Sequence, residues 1–181
     1  NIRDVLEGVK LELSRLQLSF EMLLVDERST DETCEEARQC GARVMQQSAP
    51  GYGQALRDGL LAARGNYVLC LDADGSHPPS LIEALWSKRH EAAIIIGSRF
   101  VPGGKSFAPF FRHFLSRCLN WTFCTALSLP VRDISSGYRL YLRRALRPEE
   151  SKARGFDILI ELAVRTLCRG YQLFEVPLVY R

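Results

Sequence analysis

YVLCLDADGSHPP, residues 67–79, is the stretch that decides the fold. Its first part, residues 67–71, predicts a buried strand, because a strand covered on both faces is apolar without alternation. Asp72 ends this strand, and Pro78 and Pro79 stand where the next helix begins, since proline is favoured in a first helical turn. We therefore expect a strand that ends in carboxylates and leads into a helix.

Strands and helices alternate on both sides of this stretch. The sequence predicts an amphipathic helix over residues 2–16, a buried strand over 20–25, and a helix from Ser29 to Gly41, with Glu32 completing a capping box. The other elements predicted in this half are a strand at 42–46, a helix at 54–64, a helix ending near residue 89 and a buried strand at 92–96. This alternation indicates an α/β fold with a mainly parallel central sheet and helices on both faces.

The second half of the chain has a different pattern. It predicts a helix over residues 106–129, a polar segment with β-prone residues at 131–143, a helix at 156–169 and a strand at 171–176. The first of these helices is unusually aromatic, and its aromatic residues are Phe107, Phe110, Phe111, Phe114, Trp121 and Phe123. These side chains either form core or lie against a membrane or a polyprenyl tail.

Length and composition indicate one soluble globular domain. The chain has 181 residues, of which 46% are hydrophobic and 25% are charged. The net charge is only +3 and the Lys and Arg residues are scattered, which does not favour a nucleic-acid partner, since such a partner needs a basic stripe. We expect neither a signal peptide nor a transmembrane helix within these residues.

Polar residues follow three of the predicted strands, namely Asp26, then Asp72, then Ser98 with Arg99. Ligands bind outside the carboxyl ends of the strands in open α/β sheets, so we expect these residues along one edge. Asp72 and Asp74 together predict a Mg²⁺ or Mn²⁺ site, because hard divalent cations use one or two carboxylates together with substrate phosphates. The alternative is a solvated turn, in which Asp and Gly are common.

Two further segments are candidates for contact with a nucleotide. Asp26, at a strand end, is placed to accept hydrogen bonds from a base or ribose, whereas Ser29 is expected to cap the following helix. Gly51 and Gly53 flank Tyr52 and allow a backbone to approach a ligand closely. A simple tight turn is the alternative for this glycine pair.

Polar residues beyond the third strand are candidates for phosphate binding and catalysis. Arg99 and Arg112 carry guanidinium groups, which bind phosphate bidentately. Arg112 shares a helix face with Ser116 and Asn120, because these three positions recur every four residues. Asp133 is a base, an electrostatic partner or a group that hydrogen-bonds within a turn.

Six segments together resemble a known family. They are VDERSTD at 25–31, GYGQA at 51–55, DADGSHPP at 72–79, GSRFVPGG at 97–104, DISSGYR at 133–139 and GYQLFEVP at 170–177. In this order the chain resembles glycosyltransferase family 2, and within it the dolichol- and polyprenyl-phosphate sugar synthases. The resemblance extends over nearly the whole chain, and the motifs are much more specific together than singly.

The resemblance implies a nucleotide-diphospho-sugar transferase fold of the GT-A type. It implies a metal-dependent, inverting transfer of mannose or glucose from a donor such as GDP-mannose or UDP-glucose. The implied acceptor is a polyprenyl phosphate, dolichyl or undecaprenyl, and the implied location is the cytoplasmic face of a membrane, whose surface would be a partner.

The resemblance also assigns roles to individual residues. The donor-binding set is Asp26, Glu27, Ser29, Gly51, Gly53, Asp72, Ala73 and Asp74. The metal, Mg²⁺ or Mn²⁺, is assigned to Asp72, Asp74 and Ser76. The acceptor-phosphate set is Arg99, Arg112 and Ser116, and the catalytic set is Asp74, Asp133 and Arg99.

The chain departs from the family pattern in two ways. Glu27 and Arg28 stand where the family usually has a second Asp and then Gly. The first family strand and a C-terminal basic loop or membrane segment have no counterpart in residues 1–181, so these residues are expected to be a single glycosyltransferase domain truncated at both ends. Two other functions stay open: a family 2 enzyme with a saccharide acceptor in cell-surface polysaccharide synthesis, and a non-catalytic nucleotide-sugar-binding domain.

Overall fold

The structure, a computed structural model, describes residues 2–107 and 109–180, without the side chains of residues 110 and 112. The helices are α1 (Ile2–Arg15), α2 (Thr33–Gln39), α3 (Tyr52–Ala62), α4 (Ile82–Ser87), α5 (Phe110–Ala126) and α6 (Asp157–Cys168). The strands are β1 (Leu23–Asp26), β2 (Arg43–Gln46), β3 (Tyr67–Cys70), β4 (Ile94–Ser98), β5 (Lys105–Ser106), β6 (Arg139–Leu142), β7 (Leu173–Pro177) and β8 (Val179–Tyr180).

The central sheet has the strand order β3-β6-β4-β7. β7 pairs in parallel with β4, while β6 is antiparallel to both β3 and β4. β3, β4 and β7 therefore point the same way, which agrees with the predicted parallel sheet, but β6 makes the sheet mixed. The reason is topological: Arg139, the first residue of β6, pairs with Cys70 and Ile96 near the carboxyl ends of β3 and β4, so β6 enters the sheet from that edge and runs back.

Helices cover both faces of this sheet, as predicted, and β4 shows how the sequence directs the packing. Its residues Ile94, Ile95 and Ile96 are all buried. Ile94 and Ile96 pack in a core cluster with residues of α3 and α6, whereas Ile95 packs in a second cluster with residues of α1 and α4. Alternate residues of a strand face opposite sides of a sheet, so a strand buried on both sides needs an unbroken apolar run.

β1 and β2 form a separate parallel pair at one side of the molecule. The amide of Arg64, just before β3, donates a hydrogen bond of 2.6 Å to the carboxylate of Glu21, just before β1. The two strands therefore begin side by side and end at the same edge. Among the described residues β1 pairs only with β2 and β3 only with β6, so each has one edge without a ladder partner.

A cavity of about 740 Å³ separates β1 from β3. Residues of both strands line it, α1 and α3 contribute apolar side chains such as Val5, Val9 and Leu56, and Asp72 lies at one end. Native interiors contain few voids larger than a water molecule, so a void of this size between two unpaired strand edges is unusual.

The aromatic helix α5 exposes most of its large apolar side chains. The exposed ones in and next to it are Phe107, Phe111, Phe114, Leu115, Leu119, Trp121, Phe123 and Leu127. Cys124 and Asn120, in contrast, are buried against the rest of the protein. Of the two interpretations from sequence, the structure excludes core for these side chains. The part of the chain that the structure describes has no helix long and apolar enough to span a bilayer.

Candidate active site at the carboxyl edge of the sheet

Asp72 and Asp74 follow β3 directly, at the edge where the carboxyl ends of the strands meet. The Asp72 side chain is 38% exposed, and the Asp74 residue is exposed. Burial and the nearby charge of Asp74 raise the pKa of Asp72, and the charge of His77 offsets this in part. Asp74 accepts a hydrogen bond of 2.8 Å from the Ser76 amide, which turns its carboxylate toward the loop.

The loop after β3 is suited to bind a divalent cation whose remaining ligands come from a bound substrate. A carboxyl whose pKa is raised by burial and by a second carboxylate is stabilised as an anion by a cation. The Ser76 hydroxyl oxygen is buried and lies beside the Asp74 carboxylate. The described residues contain no group of three His, Cys, Asp or Glu side chains arranged to enclose a metal. Mg²⁺-type sites commonly use one or two carboxylates and take their other ligands from substrate phosphates and water.

His77 closes the same loop from inside. Its Nδ1 accepts a hydrogen bond of 2.9 Å from the backbone amide of Asp72, and the residue is only 3% exposed. Burial lowers the pKa of His77, although the charges of Asp72 and Asp74 oppose this shift. Nothing in the sequence assigns His77 a role beyond its place in the DADGSHPP segment.

Asp133 and Arg99 form an ion pair at the end of β4. Two guanidinium nitrogens of Arg99, Nε and Nη2, each lie 2.8 Å from an oxygen of Asp133, and the Arg99 amide donates a further bond of 2.9 Å. Asp133 is fully buried. Burial opposes the charge of Arg99, but the hydrogen bond and ion pair with Asp133 outweigh it and raise the pKa of Arg99.

This ion pair changes two expectations from sequence. Asp133 is paired with Arg99 and also accepts a hydrogen bond of 3.3 Å from the Ser135 hydroxyl, so the electrostatic interpretation and the one of hydrogen bonding within a turn both fit the geometry, and a role in catalysis stays a prediction. The charge of Arg99 is balanced by Asp133 inside the protein. Arg99 therefore has less charge available to bind the acceptor phosphate, which was its predicted role. The structure thus places Asp133 and Arg99, two of the three residues of the predicted catalytic set, together, but bound to each other.

Three polar residues without a predicted role hold the Asp133 segment in place. Glu175, on β7, accepts hydrogen bonds of 2.8 and 2.9 Å from the amides of Arg132 and Asp133. Asn120, buried on α5, accepts from the Ser135 amide at 3.0 Å, and Ser135 in turn receives a bond from Arg99. The signal for Asn120 was its polar position on an aromatic helix, and the signal for Glu175 was its place in GYQLFEVP, but neither pattern identifies a partner.

The end of β1 differs from its prediction in one respect. Ser29 does not cap α2, because the helix begins at Thr33 and its cap residue Glu32 makes no side-chain cap bond. Instead the Ser29 amide and hydroxyl both donate to the carboxylate of Asp26, which is buried. Burial raises the pKa of Asp26, but these hydrogen bonds outweigh it and the net shift is downward. The capping box was wrong because Asp26 competes for the Ser29 hydroxyl.

The backbone at Arg28 is in an unusual conformation. Its φ is +63°, in the left-handed region that favours glycine, which is the residue that the resemblance implies at this position. Arg28 and Glu27 both have exposed side chains. Arg28 therefore adopts this turn after β1 at some cost in backbone strain.

Gly51 and Gly53 allow another backbone segment to approach closely, but that segment belongs to the protein itself and is not a ligand. A Cβ on Gly51 would lie 2.6 Å from the carbonyl oxygen of Arg154, and one on Gly53 would lie 2.7 Å from that of Ala153. The amide of Gly53 donates a 2.8 Å hydrogen bond to Arg154. The absent side chains thus serve packing against residues 153–155, and contact with a donor stays a prediction.

A basic pocket of about 530 Å³ lies between the loop after β4 and the start of α5. Its cationic lining residues include Lys105, Arg117 and Arg132, all exposed, and no carboxylate is among its lining residues. Among the described residues no ion pair involves these three side chains.

The other two residues predicted to bind the acceptor phosphate lie on α5. Ser116 is half-buried one helical turn from Asn120, and the Arg112 side chain lies outside the described residues. Sequence reasoning missed Lys105 and Arg132 because nothing in the local pattern brings them together.

Residues 1–148 match the family described as glycosyl transferase family 2. The chain belongs to this family. An undecaprenyl-phosphate mannosyltransferase of Micrococcus luteus is 31% identical over 193 residues, which cover 97% of this chain and 79% of that protein. A dolichol-phosphate mannosyltransferase of Pyrococcus furiosus is 29% identical over 174 residues, which cover 90% of this chain but only 48% of the relative. An uncharacterized glycosyltransferase of Mycobacterium tuberculosis is 30% identical, with 96% and 79% covered.

Solved structures give the same fold. Glucosyl-3-phosphoglycerate synthase of Mycobacterium tuberculosis, in complex with Mn²⁺, UDP and phosphoglyceric acid, matches with a TM-score of 0.74 at 24% identity. The match covers 100% of this chain and 67% of that one. The α/β fold of the GT-A type expected from the sequence is therefore confirmed, and the chain is a glycosyltransferase by family.

Proposed function

We propose that this glycosyltransferase moves a sugar, mannose or glucose, from a nucleotide-diphospho-sugar to a polyprenyl phosphate, with inversion and with Mg²⁺ or Mn²⁺. The observation that carries the proposal is the juxtaposition at one sheet edge of two unlike sites. The carboxylates of Asp72 and Asp74 fit a metal-bound diphosphate, and the basic pocket beyond β4 fits an anionic acceptor. Relatives named for undecaprenyl and dolichol phosphate support the choice of acceptor.

The reaction needs positioning and charge neutralisation more than a base. An acceptor phosphate oxygen would attack the anomeric carbon of the sugar while the bond from that carbon to the diphosphate breaks, and the nucleoside diphosphate leaves. The attacking oxygen is already ionised near neutral pH, so no residue has to remove a proton. A divalent cation at Asp72 and Asp74 would neutralise charge on the leaving diphosphate. This agrees with an Asp133 that is buried in an ion pair and therefore unsuited to act as a base.

The acceptor phosphate is better served by the basic pocket than by Arg99. Lys105, Arg117 and Arg132 line that pocket without carboxylate partners, so their charges are available to a phosphate. Arg99 also lines it, but its charge is compensated by Asp133. Arg112 and Ser116 lie on the helix beside this pocket and keep their predicted role in the proposal.

The exposed aromatic face of α5 supports action at a membrane surface; its cytoplasmic side is proposed from the family resemblance alone. Phe111 and Trp121 are 75% and 70% exposed, which is unusual for side chains of this size. Aromatic side chains next to basic ones are typical of surfaces that lie in the interfacial region of a bilayer. A polyprenyl chain rooted in the bilayer would then bring its phosphate to the adjacent basic pocket.

We also propose that the donor site is completed by a further strand from outside residues 1–181. A strand of about five residues that runs parallel to β1 and β3 would pair with both unpaired edges and fill the cavity between them. Its carboxyl end would then arrive between Asp26 and Asp72. If so, extending the chain upstream along its own gene protects the amides of Val25 and Leu69, which face the unpaired edges of β1 and β3, from hydrogen exchange. Unchanged exchange at both amides would refute this.

The function is tested by incubating the upstream-extended protein with polyprenyl phosphate and radiolabelled GDP-mannose, UDP-glucose or other nucleotide sugars. Label extracted into organic solvent, dependent on Mn²⁺ or Mg²⁺, is the expected result. Asp74→Ala should abolish it, while Asp4→Ala, an exposed carboxylate on α1, should not. Label found only in water-soluble saccharide would favour polysaccharide synthesis, and no transfer from a donor that binds would favour a non-catalytic domain.

A further inference from the structure

The strongest unexplained feature is the buried imidazole of His77. It lies five residues after Asp72, inside the loop that carries both candidate metal ligands, and is almost completely covered. It faces no solvent, so it is not placed to touch a substrate. The backbone amide of Asp72 nevertheless donates to its Nδ1 at 2.9 Å, which ties the first residue of the loop to its last part.

The direction of this hydrogen bond fixes the tautomer of the ring. Because Nδ1 accepts, the proton of a neutral imidazole must be on Nε2. Nε2 lies 3.8 Å from Oδ2 of Asp72, beyond hydrogen-bond distance. The ring therefore accepts the amide proton of Asp72 at one nitrogen and only lies near the carboxylate of that residue at the other.

Two tyrosines keep the ring in place. Tyr138 stacks on it with ring centroids 4.8 Å apart and an interplanar angle of 24°, and the Tyr138 hydroxyl donates to the carbonyl of Pro78 at 3.0 Å. Tyr180 meets the ring edge-on at 5.7 Å. His77 is thus anchored to the segment before β6 and to β8, neither of which belongs to the loop.

We propose that His77 is a positioning residue for donor binding: its Nδ1 sets the backbone of Asp72 and thereby directs the Asp72 carboxylate toward the metal and diphosphate. The proposal rests on the proposed metal-dependent function. Groups that orient metal ligands in this way typically change metal affinity by about 10- to 100-fold when they are removed. Packing alone would not produce such a specific effect, and this difference makes the proposal testable.

The first test uses the unaltered protein and no metal. Imidazole ¹⁵N spectra above neutral pH should show Nδ1 of His77 without a proton and Nε2 with one, and Nδ1 should show a scalar coupling to the amide nitrogen of Asp72. A proton on Nδ1 overturns the proposal. The result does not depend on sugar transfer, so it separates a failure of this contact from a failure of the proposed function.

The second test separates hydrogen bonding from packing. His77→Phe keeps a ring against Tyr138 but removes the acceptor, whereas His77→Asn keeps an acceptor near the Nδ1 position but removes the stacked ring. Mn²⁺ affinity is measured calorimetrically in the presence of UDP or GDP, with His90→Asn, at an exposed position, as control. The His77→Phe variant should bind Mn²⁺ about 10- to 100-fold more weakly than wild type, and the His77→Asn variant should bind it within a few-fold of wild type.

Three results overturn the proposal: unchanged affinity in the Phe variant, equal losses in both variants, or a larger loss in Asn than in Phe. Far-ultraviolet circular dichroism of each variant confirms that it is folded. If wild type itself binds no Mn²⁺ with either nucleotide, the proposed function fails, and the nitrogen spectra still report whether His77 holds Asp72.

Discussion

The ends of β3 and β4 flank the start of β6, and both carry buried or half-buried carboxylates, yet the two regions treat charge in opposite ways. At the end of β4, Asp133 is fully buried and paired with Arg99 at 2.8 Å. At the end of β3, burial raises the pKa of Asp72, and its cationic candidate, Nε2 of His77, lies 3.8 Å away, beyond hydrogen-bond distance. The β4 end is complete without a ligand, whereas the β3 end gains from a cation. Both segments looked like candidate sites in the sequence, and only the partners of each carboxylate distinguish them.

The largest effect should come from breaking the complete region. Asp133→Ala leaves the Arg99 guanidinium, with a side chain only 17% exposed, without its counter-charge, so the free energy of unfolding should fall by about 3–5 kcal/mol. Asp74→Ala, at an exposed carboxylate of the other region, should cost less than about 1 kcal/mol. Urea denaturation measures both changes. Equal costs would mean that the two regions do not differ as described.

A smaller effect, on the acceptor, tests which cations are available to a ligand. Arg117→Ala and Arg132→Ala should each raise the KM for polyprenyl phosphate roughly tenfold, since a hydrogen bond to a charged group contributes about 1.5–3 kcal/mol. Arg144→Ala, another exposed arginine away from the pocket, serves as the control. Steady-state kinetics with a detergent-solubilised acceptor check this. If only Arg99 variants alter KM, the acceptor phosphate binds at the ion pair instead.

The end of β1 gives a third case, in which the backbone and not a charge is strained. Arg28→Gly should raise the free energy of unfolding by about 0.5–1 kcal/mol, because glycine adopts the φ of +63° without a Cβ clash. Thermal unfolding should show an increase of about 2–4 °C per kcal/mol. Ser29→Gly, next to it, should destabilise, because it removes the hydroxyl that Asp26 accepts. A destabilising Arg28→Gly would show that the left-handed turn is not strained.

The smallest expected effects concern the pH dependence of stability, and their signs are opposite for Asp26 and Asp72. Hydrogen bonds lower the pKa of Asp26, so its carboxylate stabilises the fold above its usual pKa of about 4, and Asp26→Asn should destabilise at neutral pH by an amount that shrinks as the pH falls. Burial raises the pKa of Asp72, so its carboxylate costs stability once the pH exceeds that pKa. Asp72→Asn should therefore stabilise the metal-free protein at neutral pH, and the gain should vanish in acid. Melting curves of both variants, measured from acid to neutral pH, test these predictions. Stability changes of the same sign for Asp26→Asn and Asp72→Asn at neutral pH would contradict the contrast.

How much the sequence reveals depends on how local the cause is. The strands at 67–71 and 92–96 were predictable, because burial on both faces is recorded in their own apolar residues. The antiparallel direction of β6 was not, since it depends on which edge the chain occupies after α5. The candidate metal site at Asp72 and Asp74 was predictable, because both its strand-end position and its spacing are visible in the local sequence. The pairing of Arg99 with Asp133 joins residues 34 positions apart, and no local pattern encodes it. The capping box at Ser29 failed for the same reason, because Asp26 upstream takes the hydroxyl.

The measurement that tests the central claim most directly is the binding of UDP and GDP to the protein with and without Mn²⁺, followed by calorimetry. We expect Mn²⁺ to raise the affinity for one of these nucleotides roughly tenfold or more, and we expect Asp72→Ala and Asp74→Ala to abolish that gain. Asp4→Ala, at an exposed carboxylate on α1, should leave it intact. Affinity that is the same with and without Mn²⁺ for both nucleotides, or a gain that survives the loss of both aspartates, would contradict the assignment of the β3 end as the donor site.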